Sequence, residues 1–110
     1  MKKNPEEFVL PHLRKAFTES IADFEKQVKI RTPVDTGRLR NSIHVESVNT
    51  DGEVWEGIVG TDVEYAPFVE YGTSKMAPRA MFRHGKGIAE KRMRKKIQQA
   101  LKMGIQEYLK

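Results

Sequence analysis

The chain has 110 residues, of which 38% are hydrophobic and 32% charged, with a formal net charge of +5 and no cysteine. A chain this long supports one domain, residues 1–110, around one core, and no apolar run approaches the ~20 residues of a membrane span. The missing cysteines exclude disulfides, thiolate catalysis and thiolate zinc sites, and the start MKKNPEEF lacks the apolar segment of a secretion signal.

Asn4-Pro5-Glu6-Glu7 reads as a helix start. Asn4 is placed to cap, Pro5 takes the first helical position, and Glu7 completes a capping-box-like arrangement. Leu10, Leu13, Phe17, Ile21, Phe24 and Val28 then recur at steps of three and four, which marks one apolar helix face. Pro11 predicts a kink or a late start, and Thr32-Pro33 predicts the end.

Asp35-Thr36-Gly37 is the tripeptide of the aspartic proteases, whose dyad needs two carboxylates sharing one proton. Here Arg31, Arg38 and Arg40 flank it, and nearby guanidinium groups favour a simple carboxylate ion over a shared proton. The sequence instead supports a structural turn of Asp35, Thr36, Gly37 and Arg38. In it Asp35 caps, Gly37 gives the backbone freedom, and Leu39 drops into the core.

Ile43 to Val48 and Glu53 to Val59 carry β-branched residues in loose alternation. Asn49-Thr50-Asp51-Gly52 between them signals a hairpin. The segment EYAPFVEYG fits a short helix with Pro67 in its first turn and Gly72 at its end. Phe68 and Val69 are expected in the core, with Tyr71 meeting a partner. TSKMAPRAMFRHGKG reads as an irregular loop. From Ile88 to Leu109 a long helix is expected, its apolar stripe made by Met93, Ile97, Leu101, Ile105 and Tyr108. Gly104 lies inside that helix, and a close packing contact explains a glycine there.

The basic character is concentrated at the end. Residues 1–82 hold 11 basic and 13 acidic side chains, residues 83–110 hold 9 and 2. Lys91, Arg92, Lys95 and Lys96 form a candidate charged contact. Water, an acidic neighbour and nucleic acid all remain open as what this face meets. The expected fold class is α+β, with a small antiparallel sheet packed against a long N-terminal and a long C-terminal helix. The second face of that sheet is then polar or covered by another chain.

Candidate chemistry is thin. His12, His44 and His84 have no ligand spacing, and Asp62, Glu64 and Glu70 fall outside any twelve-residue calcium loop. Ser20, Ser42, Ser47 and Ser74 lack a nucleophile elbow. The residues therefore point to no catalytic set, no metal, no cofactor and no small-molecule substrate.

The order of signals is nevertheless distinctive. TPVDTGRLRNSI is followed by VGTDVEYAPFVEYGT and then by MAPRAMFR. This resembles the tail-completion or head–tail joining proteins of long-tailed bacteriophages, the HK97-type tail-component family. Pro33, Asp35, Thr36, Gly37, Leu39, Arg40, Ser42 and Ile43 carry the first motif. Gly60, Val63, Tyr65, Ala66, Val69, Glu70, Gly72 and Thr73 carry the second, while Pro78, Phe82 and Arg83 fit a third, with departures. The resemblance spans about residues 5 to 100.

It implies a virion structural protein, made in the bacterial host cytoplasm and placed at the neck or tail. Its expected form is a homo-oligomeric ring, a hexamer among the sizes considered, contacting other neck and tail proteins and, within a connector channel, passing DNA. Tyr71, Thr73, Lys75, Arg79, Phe82 and Arg83 are the candidate interface. A nucleic-acid-binding protein using the basic helix is the alternative.

Overall fold

Pro5 does open a helix, and Pro11 does not break it. In the computed structural model, which describes residues 4–34 and 37–110, α1 runs without interruption over Pro5–Arg31. Asn4 stands at the N-cap, but its side chain makes no capping bond; instead the Glu7 N–H donates to the Asn4 carbonyl at 3.0 Å. Thr32 ends the helix as expected, its hydroxyl donating back to the Val28 carbonyl at 2.8 Å.

The chain continues through α2 (Gly37–Ser42), β1 (His44–Asn49), β2 (Glu56–Gly60), α3 (Ala66–Tyr71) and α4 (Met81–Tyr108). Gly37 and Arg38 open α2, and Leu39 is buried. Asp35 and Thr36 lie outside the described residues. The strands pair antiparallel, with a register shift between Val45 and Ser47. The second strand begins at Glu56, not Glu53: the chain bends through Asp51–Val54, and Trp55 packs edge-on against Phe17 with ring centroids 5.7 Å apart.

Two expectations about α4 need correction. The helix begins at Met81, seven residues before Ile88, so Gly85 and Gly87 lie inside it. Its buried face is also not the expected stripe. Met81, Gly85, Ala89, Ala100 and Gly104 are buried, whereas Leu101 and Ile105 are exposed. The reason is how closely the two long helices approach. A Cβ on Gly104 would sit 2.6 Å from the Val9 Cα, so only glycine admits this crossing. The close contact expected at Gly104 is present.

At about 1.5 Å per residue, α1 and α4 are each about 40 Å long. Packed antiparallel, they form the shaft of a rod-shaped molecule measuring 65 × 21 × 21 Å. The sheet is carried by α1. The Val45 N–H donates to Glu25 Oε2 at 2.8 Å, and Gly57 lies directly over Ile21. An isolated two-stranded ribbon is marginal in water, so this support is what holds it. The fold is α+β, as expected; the sheet lies mainly on α1, and Val59 of β2 reaches the core that Met81 and Phe82 of α4 share.

The main core sits at the end of the rod where α1 finishes and α4 begins. Val28, Leu39, Ile43, Val63, Ala66 and Met81 are buried together, with Phe24, Val59, Tyr65, Val69 and Phe82 packed around them.

Candidate interaction surface

The two long motifs converge on this core. Leu39 and Ile43 come from the first, Val63, Tyr65, Ala66 and Val69 from the second. Polar residues tie the same segments together. Ser42 and Thr61 share a hydrogen bond through their hydroxyls, and Thr61 Oγ1 accepts the Val63 N–H at 3.1 Å. Arg38 reaches from α2 to Glu64 with contacts of 3.0 and 3.3 Å, and its guanidinium lies 5.7 Å from the centroid of the Tyr65 ring. The motif residues are thus largely a joint between α2 and the loop entering α3.

Glu64 is exposed, yet its carboxyl titrates below the ordinary glutamate value of 4.5. Its own backbone N–H is the main cause, with the Arg38 hydrogen bond and charge adding to it.

Glu70 has a different task. It is 5% exposed. Its Oε1 accepts the Phe82 N–H at 2.8 Å and its Oε2 the Arg83 N–H at 3.2 Å, while Arg83 Nε donates to Oε2 at 2.9 Å. These backbone donors belong to the first turn of α4, whose N-cap Ala80 sits in the left-handed region at φ 48° and offers no side-chain cap. A carboxylate from another helix therefore fills the capping role. Sequence reasoning considered Glu70 only as a cation ligand, because nothing local connects residue 70 with residue 82.

Between α3 and α4 the chain makes a tight return. Thr73 and Met76 exchange backbone hydrogen bonds of 2.8 and 3.3 Å. Gly72 has φ 80°, and a Cβ there would lie 2.7 Å from the Pro78 nitrogen. The second motif's glycine is thus required by the backbone.

Around this corner the candidate interface residues separate. Tyr71 is 66% exposed, with the Arg83 guanidinium 4.8 Å from its ring centroid. Thr73, Lys75 and Arg79 are exposed, and Phe82 is half-buried against the core. Phe68, expected inside, is 58% exposed; three residues from Tyr71, it shares a face of α3 with it. Beside them runs a groove of about 480 Å³ with apolar Phe24, Val63, Ala66 and Phe82, and charged Asp62, Glu64, Arg83 and Lys86.

The basic helix is not one uniform face. Arg92 pairs with Asp23 of α1 at 3.1 Å, and Lys96 is half-buried beside α1. Lys91 and Lys95 point outward and make no ion pair among the described residues. His12 binds Glu107 at 2.9 Å, and His44 Nδ1–H donates to the Ser42 carbonyl at 2.7 Å. Among the described residues no three His, Asp or Glu side chains gather in a way that would hold a metal ion. Nor is any described helix long and apolar enough to cross a membrane.

The corner built by the two motifs displays aromatic and cationic side chains at one end of the rod. The chain belongs to the family described as "Bacteriophage HK97-gp10, putative tail-component", whose model matches residues 11–72, more than half of its length. The match takes in most of α1, then α2, the sheet and α3, and stops at Gly72. The third motif and α4, included in the resemblance up to residue 100, lie beyond it. No curated protein and no solved structure matches the chain.

Proposed function

We propose that this protein is a non-enzymatic structural part of a tailed-phage virion. It acts in tail completion or head–tail joining as one subunit of a ring at the neck, in contact with other neck and tail proteins. The observation that carries the reading is membership in the tail-component family. The surface supports it: Phe68 and Tyr71 stand exposed next to Arg83, and aromatic residues with arginine are the side chains that interfaces favour.

The test is a phage lacking the gene. Separate heads and tails, or tails of defective length or ending, are expected in its lysate, with rescue by the wild-type gene. Normal virions at normal yield would refute the reading.

A second reading rests on the unpaired cations of α4. If nucleic acid is their partner, affinity for duplex DNA falls steeply and linearly on a log–log plot as salt rises, and reversal of Lys91 and Lys95 removes it.

A further inference from the structure

Opposite charges are sorted onto two surfaces of this rod, and neither is neutralised among the described residues. Between Arg40 and Lys75 there is no lysine or arginine, while Glu46, Asp51, Glu53 and Glu56 all fall in the hairpin. None of those four makes an ion pair among the described residues. Beside them Val54 is the most exposed large apolar residue described, at 81%. The tip is therefore an apolar knob set among carboxylates.

The outer face of α4 is its complement. Ala100 and Gly104 face α1, so at about 100° per residue Arg94, Lys95 and Lys102 point away from it. They make no ion pair either. Leu101 and Ile105 are exposed on the flank that these cations border. That face is an apolar strip set among cations.

Both surfaces also lie at the same end of the rod. Gly52, Glu53 and Trp55 border Val9, Leu10 and Leu13, and Gly104 packs on Val9. A rotation about an axis parallel to the rods keeps every residue at its level, so two patches at one level can meet between neighbouring copies. Because the patches differ, the contact is heterologous, and a heterologous contact whose rotation closes builds a ring.

We propose that the acidic hairpin tip of one copy, led by Val54, docks on the Leu101–Ile105 face of α4 in the next copy, with Asp51, Glu53 and Glu56 facing Arg94, Lys95 and Lys102. The inference rests on the ring reading and names the surfaces that make the ring.

Two variants test it. The first reverses the tip (Asp51→Lys, Glu53→Lys, Glu56→Lys); the second reverses the helix (Arg94→Glu, Lys95→Glu, Lys102→Glu). All six positions are exposed, and circular dichroism checks that each variant folds. By sedimentation velocity at ~0.1 M salt, where the Debye length is about 10 Å, each variant alone is expected to self-associate at least ~10-fold more weakly than the wild type. Mixed in equal amounts they are expected to associate again, because every tip then meets a helix of opposite charge.

Assembly of either variant at wild-type strength, or a mixture as dissociated as its parts, overturns this contact and leaves the ring reading standing. A wild-type chain that stays monomeric at all concentrations sinks both. Loss of duplex-DNA binding by the helix variant with self-association unchanged assigns the face to nucleic acid instead.

Discussion

The Glu70 carboxylate caps α4 by accepting the Phe82 backbone N–H at 2.8 Å, across twelve residues of chain. This bond, with its companions from Arg83, sets where the longest helix begins and locks α3 to it. It also explains why a buried glutamate sits in a corner otherwise filled by Val63, Ala66 and Met81.

Replacing that carboxylate is expected to be costly. Glu70→Ala leaves first-turn N–H groups of α4 without their acceptor and should lower stability by about 2 kcal/mol. Glu70→Gln keeps an acceptor and should recover part of the loss. Urea unfolding of the three proteins measures this; equal midpoints for wild type and Glu70→Ala would mean the cap is dispensable.

Two glycines of α4 should respond in opposite directions. Gly87 is exposed with open space around its Cβ position, whereas Gly104 lies against the Val9 backbone. Gly87→Ala should stabilise by up to about 1 kcal/mol through helix propensity. Gly104→Ala forces the helices apart and should destabilise by about 1–3 kcal/mol. Thermal unfolding distinguishes them, and shifts of the same sign would show that the helix crossing is not as close as described.

Arg92 and Lys91 are neighbours with different surroundings. Arg92 donates to Oδ1 of the half-buried Asp23 at 3.1 Å, an oxygen that also accepts from Gln27 Nε2 at 3.2 Å, while Lys91 faces water. Arg92→Ala should cost about 1–3 kcal/mol by taking from that carboxylate its cationic partner and leaving it the Gln27 amide, and Lys91→Ala should stay within about 0.5 kcal/mol of wild type. Comparable losses from both would remove the Asp23 contact from the account.

The pair on α2 makes a pH prediction. Glu64 has a folded pKa below its unfolded value. Its contribution to stability is therefore complete above about pH 4.5 and is lost as pH falls through the lowered folded value. Arg38→Ala should move the Glu64 carboxyl resonance midpoint upward in an NMR titration. An unchanged midpoint would show that Arg38 does not act on it.

Local signals read well where a local cause sets the structure. The stripe from Leu10 to Val28, the Thr32-Pro33 stop, and Pro67 with Gly72 around α3 all act within one helical turn. α4 was harder to read for two physical reasons. Its start depends on Glu70, outside any local window, so the sequence around Gly85 and Gly87 reads as loop. Its buried face is made of Gly85, Ala89, Ala100 and Gly104, which a search for large apolar residues passes over, leaving Leu101 and Ile105 to be placed inside. Arg92 looked like its basic neighbours because only the tertiary fold brings Asp23 to it. Phe68 was placed in the core by its apolarity, but α3 is a single short helix, and Val69 is the residue that faces inward.

The central claim is that this chain is a structural component of the phage neck or tail, and quantitative mass spectrometry with electron microscopy of purified virions tests it most directly. The account predicts a fixed small number of copies per particle, with density for the 65 Å rods repeated around the tail axis at the neck. Purified infectious virions that contain none of the protein would contradict it.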